Sequence, residues 1–292
     1  MTTAYFDCFR GAGGDMIVAA LVDAGADVDS LRRGLDSLGL RGYDLSIGPV
    51  TKQGFAATRF VVTSEKDRPQ PHRHLSDIAG IIGAADLPDP VKTRSMRVFE
   101  RLAEAEAAVH GTDVARIHFH EVGAVDSILD VVGAVLAMHL LAVDRVICSP
   151  LPVGSGTVVC EHGTLPVPAP ATANLLKGVP LAACDETGEL VTPTAAAVLT
   201  TMAEAFTSLP AMVVAKIGYG AGSRDGLHRP NLLRVLIGDE SPAGDVDEIT
   251  ILETNLDDVS PQVVGHCIEV LLAAGALDVY AVPIQMKKSR PG

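Results

Sequence analysis

The longest apolar run in the chain, from Val131 to Val143, limits the folds open to this sequence. Asp130 and Asp144 bound the run, which is too short to cross a bilayer as a helix. We predict a helix from Ile128 to Leu141. A helix this apolar has to be buried, so we place it at the centre of the first domain.

The composition predicts a globular protein with an aliphatic core. The 292 residues leave room for two domains, 48% of them are apolar, and only 4% are aromatic, with no Trp. Scarce aromatic side chains argue against a base-stacking nucleic-acid surface. The formal charge of −13 argues against binding to a phosphate backbone and favours cations.

The cysteines and the amino terminus indicate a cytoplasmic protein. The five cysteines are scattered and form no C-x-x-C pair, which argues against a disulfide framework and a cysteine zinc site. The first residues lack the basic and apolar regions of a signal peptide. We therefore expect no membrane association.

The amino-terminal segment predicts a strand, a glycine-rich turn and a helix. Thr3 to Cys8 is a short apolar strand, and Met16 to Ala24 has helical periodicity. The turn between them contains Gly13, Gly14 and Asp15. Backbone N–H groups can hold an anion in this geometry, but the spacing matches neither phosphate-loop nor dinucleotide patterns. A plain tight turn, with Asp15 at the positive helix end, is the interpretation that the residues alone favour.

The densest group of potential metal ligands lies between His118 and Asp130. His118, His120, Glu121 and Asp126 supply imidazole and carboxylate, a donor set that suits zinc, nickel, iron or copper. In an extended segment the two histidines face the same way. In a helix Asp126 and Asp130 lie one turn apart. The pattern predicts a metal site across a strand-to-helix junction.

A simpler interpretation of the same residues stays open. Asp126 could only cap the following helix, Asp130 could face solvent, and the histidines could make local hydrogen bonds. His162 either completes the metal site or is an ordinary turn histidine. His72 and His74 form a weaker pair in a polar loop.

Several further elements are predicted from local patterns. Tyr43 to Pro49 and Phe55 to Ser64 indicate a hairpin. Capping and proline signals indicate other helices: from Ser76, over Val91 to Val109 with Gly111 ending it, near Thr172 to Leu176, and from Thr192-Pro193 to about Phe206.

A glycine-bearing strand is predicted from Met212 to Ser223. Gly218 and Gly220 leave one face bare, so another backbone or a ligand can approach closely. Arg224 and Arg229 follow and form a candidate anion seat, since guanidinium matches phosphate or carboxylate. Pairing with surface carboxylates is an equally open role for these arginines.

The fold class that we predict is α+β (mixed α/β). Residues 1–240 form a domain with a mixed sheet and flanking helices, and residues 246–292 form a partial domain. The latter reads as strand Ile249 to Asn255, helix Pro261 to Ala274 and strand Asp278 to Gln285. One βαβ unit cannot bury both faces of a sheet, so we expect the first half of a ferredoxin-like domain, incomplete at the carboxyl end.

The motifs, in this order, resemble those of the LarC family, the nickel-insertion proteins of the lactate racemase cofactor pathway. The matching segments cover nearly the whole chain: Tyr5-Phe-Asp-Cys-Phe, Gly14-Asp15-Met16, His118-Phe-His-Glu-Val-Gly-Ala-Val-Asp-Ser127, Leu151-Pro-Val-Gly-Ser-Gly-Thr157, His162-Gly-Thr-Leu-Pro-Val-Pro-Ala-Pro-Ala-Thr172, Glu189-Leu-Val-Thr-Pro-Thr194, Gly218-Tyr-Gly-Ala-Gly222, Arg224-Asp225, Glu253-Thr-Asn-Leu-Asp-Asp258, Gly275-Ala-Leu-Asp278 and Met286-Lys-Lys288.

The resemblance implies a nickel chelatase of the lyase class. The family inserts Ni(II) into a pyridinium bis-thiocarboxylate mononucleotide, consumes CTP with a divalent cation, and makes a cofactor for a lactate racemase-like enzyme. Carried onto this chain, it suggests His118, His120, Glu121, Asp126 and His162 as nickel ligands.

Other site residues are assigned on the same resemblance. Glu121, Asp7 and Asp15 are the expected catalytic or supporting residues, and Arg224 and Arg229 would hold phosphate. Gly13, Gly14, Gly218 and Gly220 would approach the bound mononucleotide.

Two departures from the family pattern bear on function. The histidine-rich loop of many members is reduced to His72 and His74, so nickel storage there is not expected. Members usually continue beyond the Met286-Lys-Lys motif into a carboxy-terminal region linked to CTP. In some members this region is reached by ribosomal frameshifting, so a separately encoded carboxy-terminal part is a possible partner of this chain. Two other functions remain open alternatives: a metallochaperone without turnover and a hydrolase that uses Glu121 as base. A homo-oligomer is also open.

Overall fold

The structure, a computed structural model, describes residues 1–65, 73–117, 119, 123–160, 163–224, 230–241 and 249–292. His118, His120, Glu121, His162 and Arg229 lie outside the described residues, as does His72. The chain divides into two units, Met1–Ala243 and Gly244–Gly292, and each is described by itself.

The described strands of the first unit build a seven-stranded mixed sheet with the order β2-β3-β10-β11-β1-β4-β9. Strands β1, β3, β4, β9 and β10 run in one direction, and β2 and β11 run against them. The bounds are β1 (Thr2–Asp7), β2 (Tyr43–Lys52), β3 (Phe55–Ser64), β4 (Arg145–Cys148), β9 (Ala205–Phe206), β10 (Met212–Ala221) and β11 (Leu232–Glu240). The predicted mixed sheet is confirmed.

Among the described residues of the first unit, two short antiparallel pairs lie outside this sheet. One joins β5 (Gly154–Ser155) to β8 (Gly188–Glu189), and the other joins β6 (Thr157–Cys160) to β7 (Gly163–Pro166).

Helices of the first unit pack on the sheet and on one another. Their bounds are α1 (Gly14–Asp23), α2 (Val28–Asp36), α3 (Leu75–Ala84), α4 (Asp89–His110), α5 (Val125–Leu140), α6 (Pro170–Leu175) and α7 (Pro193–Met202), with a 3₁₀ turn at Val114–Arg116. Helix α1 contacts β3, β10 and β11, and α5 contacts α1, α2, α4 and α7. Most of α5 is buried, which confirms the predicted central helix.

The close contact between α1 and the sheet depends on the glycines of β10. A Cβ atom built on Gly218 would lie 2.0 Å from the carbonyl oxygen of Ala20, and one on Gly220 would lie 1.9 Å from that of Met16. The bare face of the strand is therefore filled by the backbone of α1. The sequence allowed either a backbone or a ligand to approach this face. The structure shows the backbone of α1 at both glycines.

The predicted hairpin is confirmed, and its second strand has the predicted bounds. The turn between β2 and β3 is Gln53-Gly54, and both residues have positive φ, 48° and 86°. Two-residue turns of this kind match the twist of the paired strands.

Two predicted helix boundaries were wrong. Helix α3 begins at Leu75 with His74 as its N-cap, where the backbone N–H of His74 donates to the Asp77 carboxylate at 2.8 Å. The predicted cap Ser76 is thus already inside the helix. Helix α7 ends at Met202, and Phe206 instead pairs with Cys148 in the sheet, because β4 offers an open edge for backbone hydrogen bonds.

The second unit contains the predicted helix but differs elsewhere. Helix α8 (Pro261–Ala273) is capped by Ser260, whose hydroxyl accepts from Val263 N. Within the stretch 249–292, strand pairing is limited to β12 (Gln285–Met286) with β13 (Arg290–Pro291), which flank a 3₁₀ turn at Lys287–Ser289. The predicted strands at 249–255 and 278–285 are not formed apart from Gln285, and a strand without a hydrogen-bonded neighbour has no ladder to stabilise it.

None of the described helices combines the length and the apolar character that a membrane crossing requires.

Candidate metal and substrate site

The candidate site lies at the carboxyl ends of the parallel strands. Helix α1 begins there, directly after β1 and the glycine turn, and the start of α5 meets it. In sheets of this kind, ligands bind in crevices at the carboxyl edge. The predicted site residues Asp7, Asp15 and Asp126 all belong to segments that reach this edge.

The two glycines of the turn make room for carboxylates of the protein itself. A Cβ atom on Gly13 would lie 2.3 Å from Oδ1 of Asp15, and one on Gly14 would lie 2.6 Å from Oδ2 of Asp130. The backbone N–H groups of Asp15 and Met16, at the start of α1, hydrogen-bond to the carboxylates of Asp130 and Asp15 respectively. The positive end of α1 therefore holds two carboxylates of the protein itself, one of them Asp15, which the residues alone place at this end of the helix.

Burial and mutual repulsion perturb these carboxylates, which together with Asp126 we call the acidic cluster. Burial raises the pKa of Asp15 to about 6, against partial opposition from the Met16 N–H and the nearby Arg59 guanidinium. Burial, followed by the charges of Asp15 and Asp126, raises the pKa of Asp130 well above its ordinary value. Carboxylates held together in this way attract a proton or a cation.

Asp126 and Asp130 lie one turn apart on α5, as predicted. Ala124 is the N-cap of α5, so Asp126 sits in the first turn, where its Oδ1 accepts from the backbone N–H of Ser127 at 2.8 Å. Asp126 is exposed, while Asp130 packs against Gly14. Ala124 is thus the N-cap instead of Asp126, and Asp130 is engaged by the protein, while the histidines of the simpler interpretation lie outside the described residues.

The described residues around the His118–Glu121 motif are firmly anchored. Phe119 is 1% exposed and packs edge-on against Phe99, with ring centroids 6.4 Å apart. The backbone N–H of Phe119 donates to the Arg73 carbonyl at 3.1 Å, and the Arg73 guanidinium donates to the Gly123 carbonyl at 2.6 Å. Phe119 is therefore held in the hydrophobic core and Gly123 is held by Arg73, and α5 begins two residues later at Val125.

In the part of the chain that the structure describes, no group of three or more His, Cys, Asp or Glu side chains is arranged to hold a metal ion. The acidic cluster alone is thus not a coordination site. The predicted ligands His118, His120, Glu121 and His162 fall outside that part, so the predicted ligand set stays a prediction.

Asp7 ends β1 and is engaged by a cross-strand partner. Its Oδ2 accepts from Nη2 of Arg234 at 2.5 Å and from Nε at 3.1 Å, across the β1–β11 ladder. One oxygen of the predicted site residue Asp7 is therefore already paired with the sheet. The pairing suits a residue that holds the end of β1 in place.

The glycine turn is closed by the segment before α7. Gly11 has φ of +91°, and a Cβ atom there would overlap the Leu190 carbonyl. The backbone N–H of Ala12 donates to that carbonyl at 2.8 Å, and buried Arg10 forms an ion pair with Glu186. These contacts fix the turn that carries Asp15.

Arg224 is exposed and lies beside β8. One nitrogen of its guanidinium donates to the Glu189 carbonyl at 3.0 Å. The predicted phosphate seat is therefore tied to the segment that closes the glycine turn. Its proposed companion Arg229 lies outside the described residues.

Sequence reasoning did not select Arg59 or commit to Asp130. Each had a visible signal: Arg59 is the only charged residue of β3, and Asp130 is one of two carboxylates in an otherwise apolar helix. An ionisable group on an otherwise apolar element has to find a partner or a function. That signal does not say which groups meet, since α5 and β3 are distant in sequence.

A cavity of about 220 Å³ lies elsewhere, near the amino end of β4. Arg94, Arg97, Asp144, Thr201 and Glu204 contribute its polar lining. This cavity is distinct from the candidate site, because it lies away from the acidic cluster and its lining carries both positive and negative charges.

The fold and the site describe an α/β protein with a carboxylate-rich edge suited to a cation. The family model for the nickel insertion protein matches residues 4–292, so the chain belongs to this family. A putative nickel insertion protein of Geotalea daltonii is 50% identical over all of this chain and 75% of its own length.

Two other relatives give the same picture. A putative nickel insertion protein of Geobacter sulfurreducens is 47% identical, again over all of this chain and 75% of its own length. The pyridinium-3,5-bisthiocarboxylic acid mononucleotide nickel insertion protein of Desulfitobacterium hafniense (strain DSM 10664 / DCB-2) is 49% identical, over all of this chain and 73% of its own length. This chain thus spans about three quarters of the relatives it matches. No solved structure matches it.

Proposed function

We propose that this protein binds Ni(II) and inserts it into pyridinium-3,5-bisthiocarboxylic acid mononucleotide. The product is a pincer in which one carbon and two sulfurs hold the metal. The proposal is supported by family membership, by the name of the Desulfitobacterium relative, and by the acidic cluster at the carboxyl edge. The acidic cluster is the main structural support, because Asp126 and Asp130 follow the His118–Glu121 motif closely in sequence and Asp130 packs against Gly14 at the start of α1.

Nickel is a substrate of this reaction and has to be held and then released. We assign His118, His120 and Glu121 as ligands, with Asp126 and His162 completing the set. Imidazole and carboxylate are hard-to-borderline donors that suit Ni(II). The softer sulfurs of the thiocarboxylates can then take over the metal as the pincer forms.

Insertion also requires a proton acceptor. A carbon–nickel bond replaces a carbon–hydrogen bond of the ring, so one proton leaves for each nickel inserted, with no change in the oxidation state of the metal. Glu121 and Asp15 are the carboxylates that we propose for accepting it. Asp7, paired with Arg234, would act by holding the end of β1 and the following turn.

The anionic mononucleotide needs cations in an acidic protein. We propose that Arg224 and Arg229 hold its phosphate, since a guanidinium binds phosphate bidentately. The exposed guanidinium of Arg224 leaves donors available for this role. CTP with a divalent cation would drive the reaction, and a lactate racemase-like enzyme would receive the product.

The ligand assignment is tested by calorimetry of Ni(II) binding to His118→Ala and His120→Ala. We expect affinity to fall at least about tenfold in each, as when ligands or their supporting groups are lost. His139→Ala is the matched control, because His139 is an exposed histidine at the far end of α5. Unchanged affinity in both ligand variants would reject the assignment.

A nickel metallochaperone without turnover is the second candidate, since the predicted imidazole and carboxylate donors would bind nickel without any chemistry on the precursor. Incubation of the purified chain with Ni(II), CTP and the precursor separates the two. An insertase yields the metallated product, whereas a chaperone binds nickel and leaves the precursor unchanged.

For the second unit, we propose the first βαβ half of a ferredoxin-like domain. Segments 249–255 and 278–284 would become strands only beside neighbouring strands. Hydrogen exchange measured by mass spectrometry should show rapid exchange of both segments in this chain and protection in a longer relative. Equal protection in the two proteins would contradict the proposal.

A further inference from the structure

Arg59, on β3, carries a buried nitrogen without a partner. The side chain is half-buried, and its Nε is inaccessible to solvent and makes no hydrogen bond in the described part of the chain. Burying an N–H donor without an acceptor costs free energy. Native proteins retain such groups mainly where function requires them.

The position of Arg59 relates it to the candidate site. Thr58 pairs with Gly220, the last but one residue of β10. The following residues of β3 therefore extend past β10 towards the carboxyl edge. The guanidinium charge reaches Asp15, whose pKa it lowers, although the described residues include no ion pair between them.

Three other arginines of the first unit have carboxylate partners. Arg10, Arg145 and Arg234 each form an ion pair with a carboxylate of the protein. In the described ranges, Arg59 has no such pair, although three carboxylates lie at the same edge. A structural arginine in this setting would be expected to take one of them.

We propose that Arg59 binds an anionic group of the substrate, a carboxylate-type group or a phosphate. The proposal deepens the proposed function, on which it rests. A guanidinium offers a planar fork of N–H donors that matches both groups. It also offsets the repulsion that an anionic substrate would meet at the acidic cluster.

Binding of two probes to the 292-residue chain tests this role. We would titrate pyridine-3,5-dicarboxylate and inorganic phosphate separately into the unmodified chain and into Arg59→Met, Arg59→Lys and Arg97→Met. The last is the matched control, because Arg97 is an exposed arginine on α4.

We expect Arg59→Met to weaken binding of at least one probe by about tenfold or more, the usual effect of losing a hydrogen bond to a charged group. The affinity of Arg59→Lys should lie between those of the unmodified chain and Arg59→Met, since lysine keeps the charge but lacks the planar pair of N–H donors. The weakened probe identifies the group bound. If neither probe binds the unmodified chain, or if all variants bind equally, the proposal is overturned.

The stability of the free chain provides a second readout. Because the buried Nε has no partner, Arg59→Met should unfold in urea at a midpoint no lower than the unmodified chain. A clear loss of stability would show a structural role and overturn the proposal. Nickel binding and insertion are measured separately, so a chain that fails to insert nickel yet binds a probe through Arg59 would reject only the proposed function.

Discussion

Substituting Gly220 by alanine tests the contact between α1 and the sheet on which the site depends. The new Cβ atom would lie 1.9 Å from the Met16 carbonyl oxygen and 2.7 Å from the Ala20 nitrogen. Ordinary contact begins near 3.4 Å, so the helix or strand has to shift by about 1.5 Å. Both neighbours are backbone atoms, which no rotamer change can move.

We expect Gly220→Ala to lower the free energy of unfolding by about 3 kcal/mol, at the upper end of typical overpacking costs. Helix α1 cannot retreat freely, because it also packs against α5 and holds Gly14 against Asp130. The same shift would displace Asp15, the proposed proton acceptor, so nickel insertion should slow as well.

Urea unfolding followed by circular dichroism measures the change. Gly48→Ala in β2 is the control: Gly48 lies in a strand without positive φ, and nothing lies within 4 Å of its added Cβ. We expect the free energy of unfolding of that variant to equal that of the unmodified chain or to exceed it by up to about 1 kcal/mol. If both variants unfold at the same urea concentration, α1 does not rest on the glycine face of β10 and the reasoning is refuted.

Two further substitutions address the site and its supports. Burial raises the pKa of Asp15 from 3.8 to about 6, so the folded chain binds this proton more tightly and stability falls as pH rises from about 4 to about 6. Asp15→Asn should therefore gain up to about 3 kcal/mol at pH 7.5 in urea unfolding, with little gain at pH 4; an equal gain at both pH values would contradict this. The Thr192 hydroxyl caps α7 by accepting from Ala195 N at 3.2 Å. Thr192→Ala should therefore lower the free energy of unfolding by about 1 kcal/mol, whereas Thr192→Ser should keep most of the capping stabilisation. Equal thermal midpoints for the two Thr192 variants would refute the cap.

Local patterns were sufficient for most of the helices and for the hairpin. The apolar run around α5, the Gly111 stop signal and the Gln53-Gly54 turn each act over a few residues, so the sequence shows them directly. Strand β11 was not predicted, although it lies between β10 and β1 at the centre of the sheet. Which strands pair depends on contacts between residues far apart in the chain.

In the candidate site too, the local sequence shows some features and only the tertiary structure shows the others. The acids and histidines from His118 to Asp130, and the glycines of the turn and of β10, are visible as an unusual local pattern. Only the tertiary structure shows that α1 fills the glycine face and that Asp130 takes the space beside Gly14. Only it brings Arg59 near Asp15.

The amino-acid sequence alone determined the types of element, the family and the residues with metal-binding chemistry, because these follow from side-chain type and short spacing. The tertiary structure decided which of those residues meet, which are already engaged by the protein, and which buried donor is left without a partner. Proximity between α1, α5 and β3 arises from packing, and packing is a property of the whole chain.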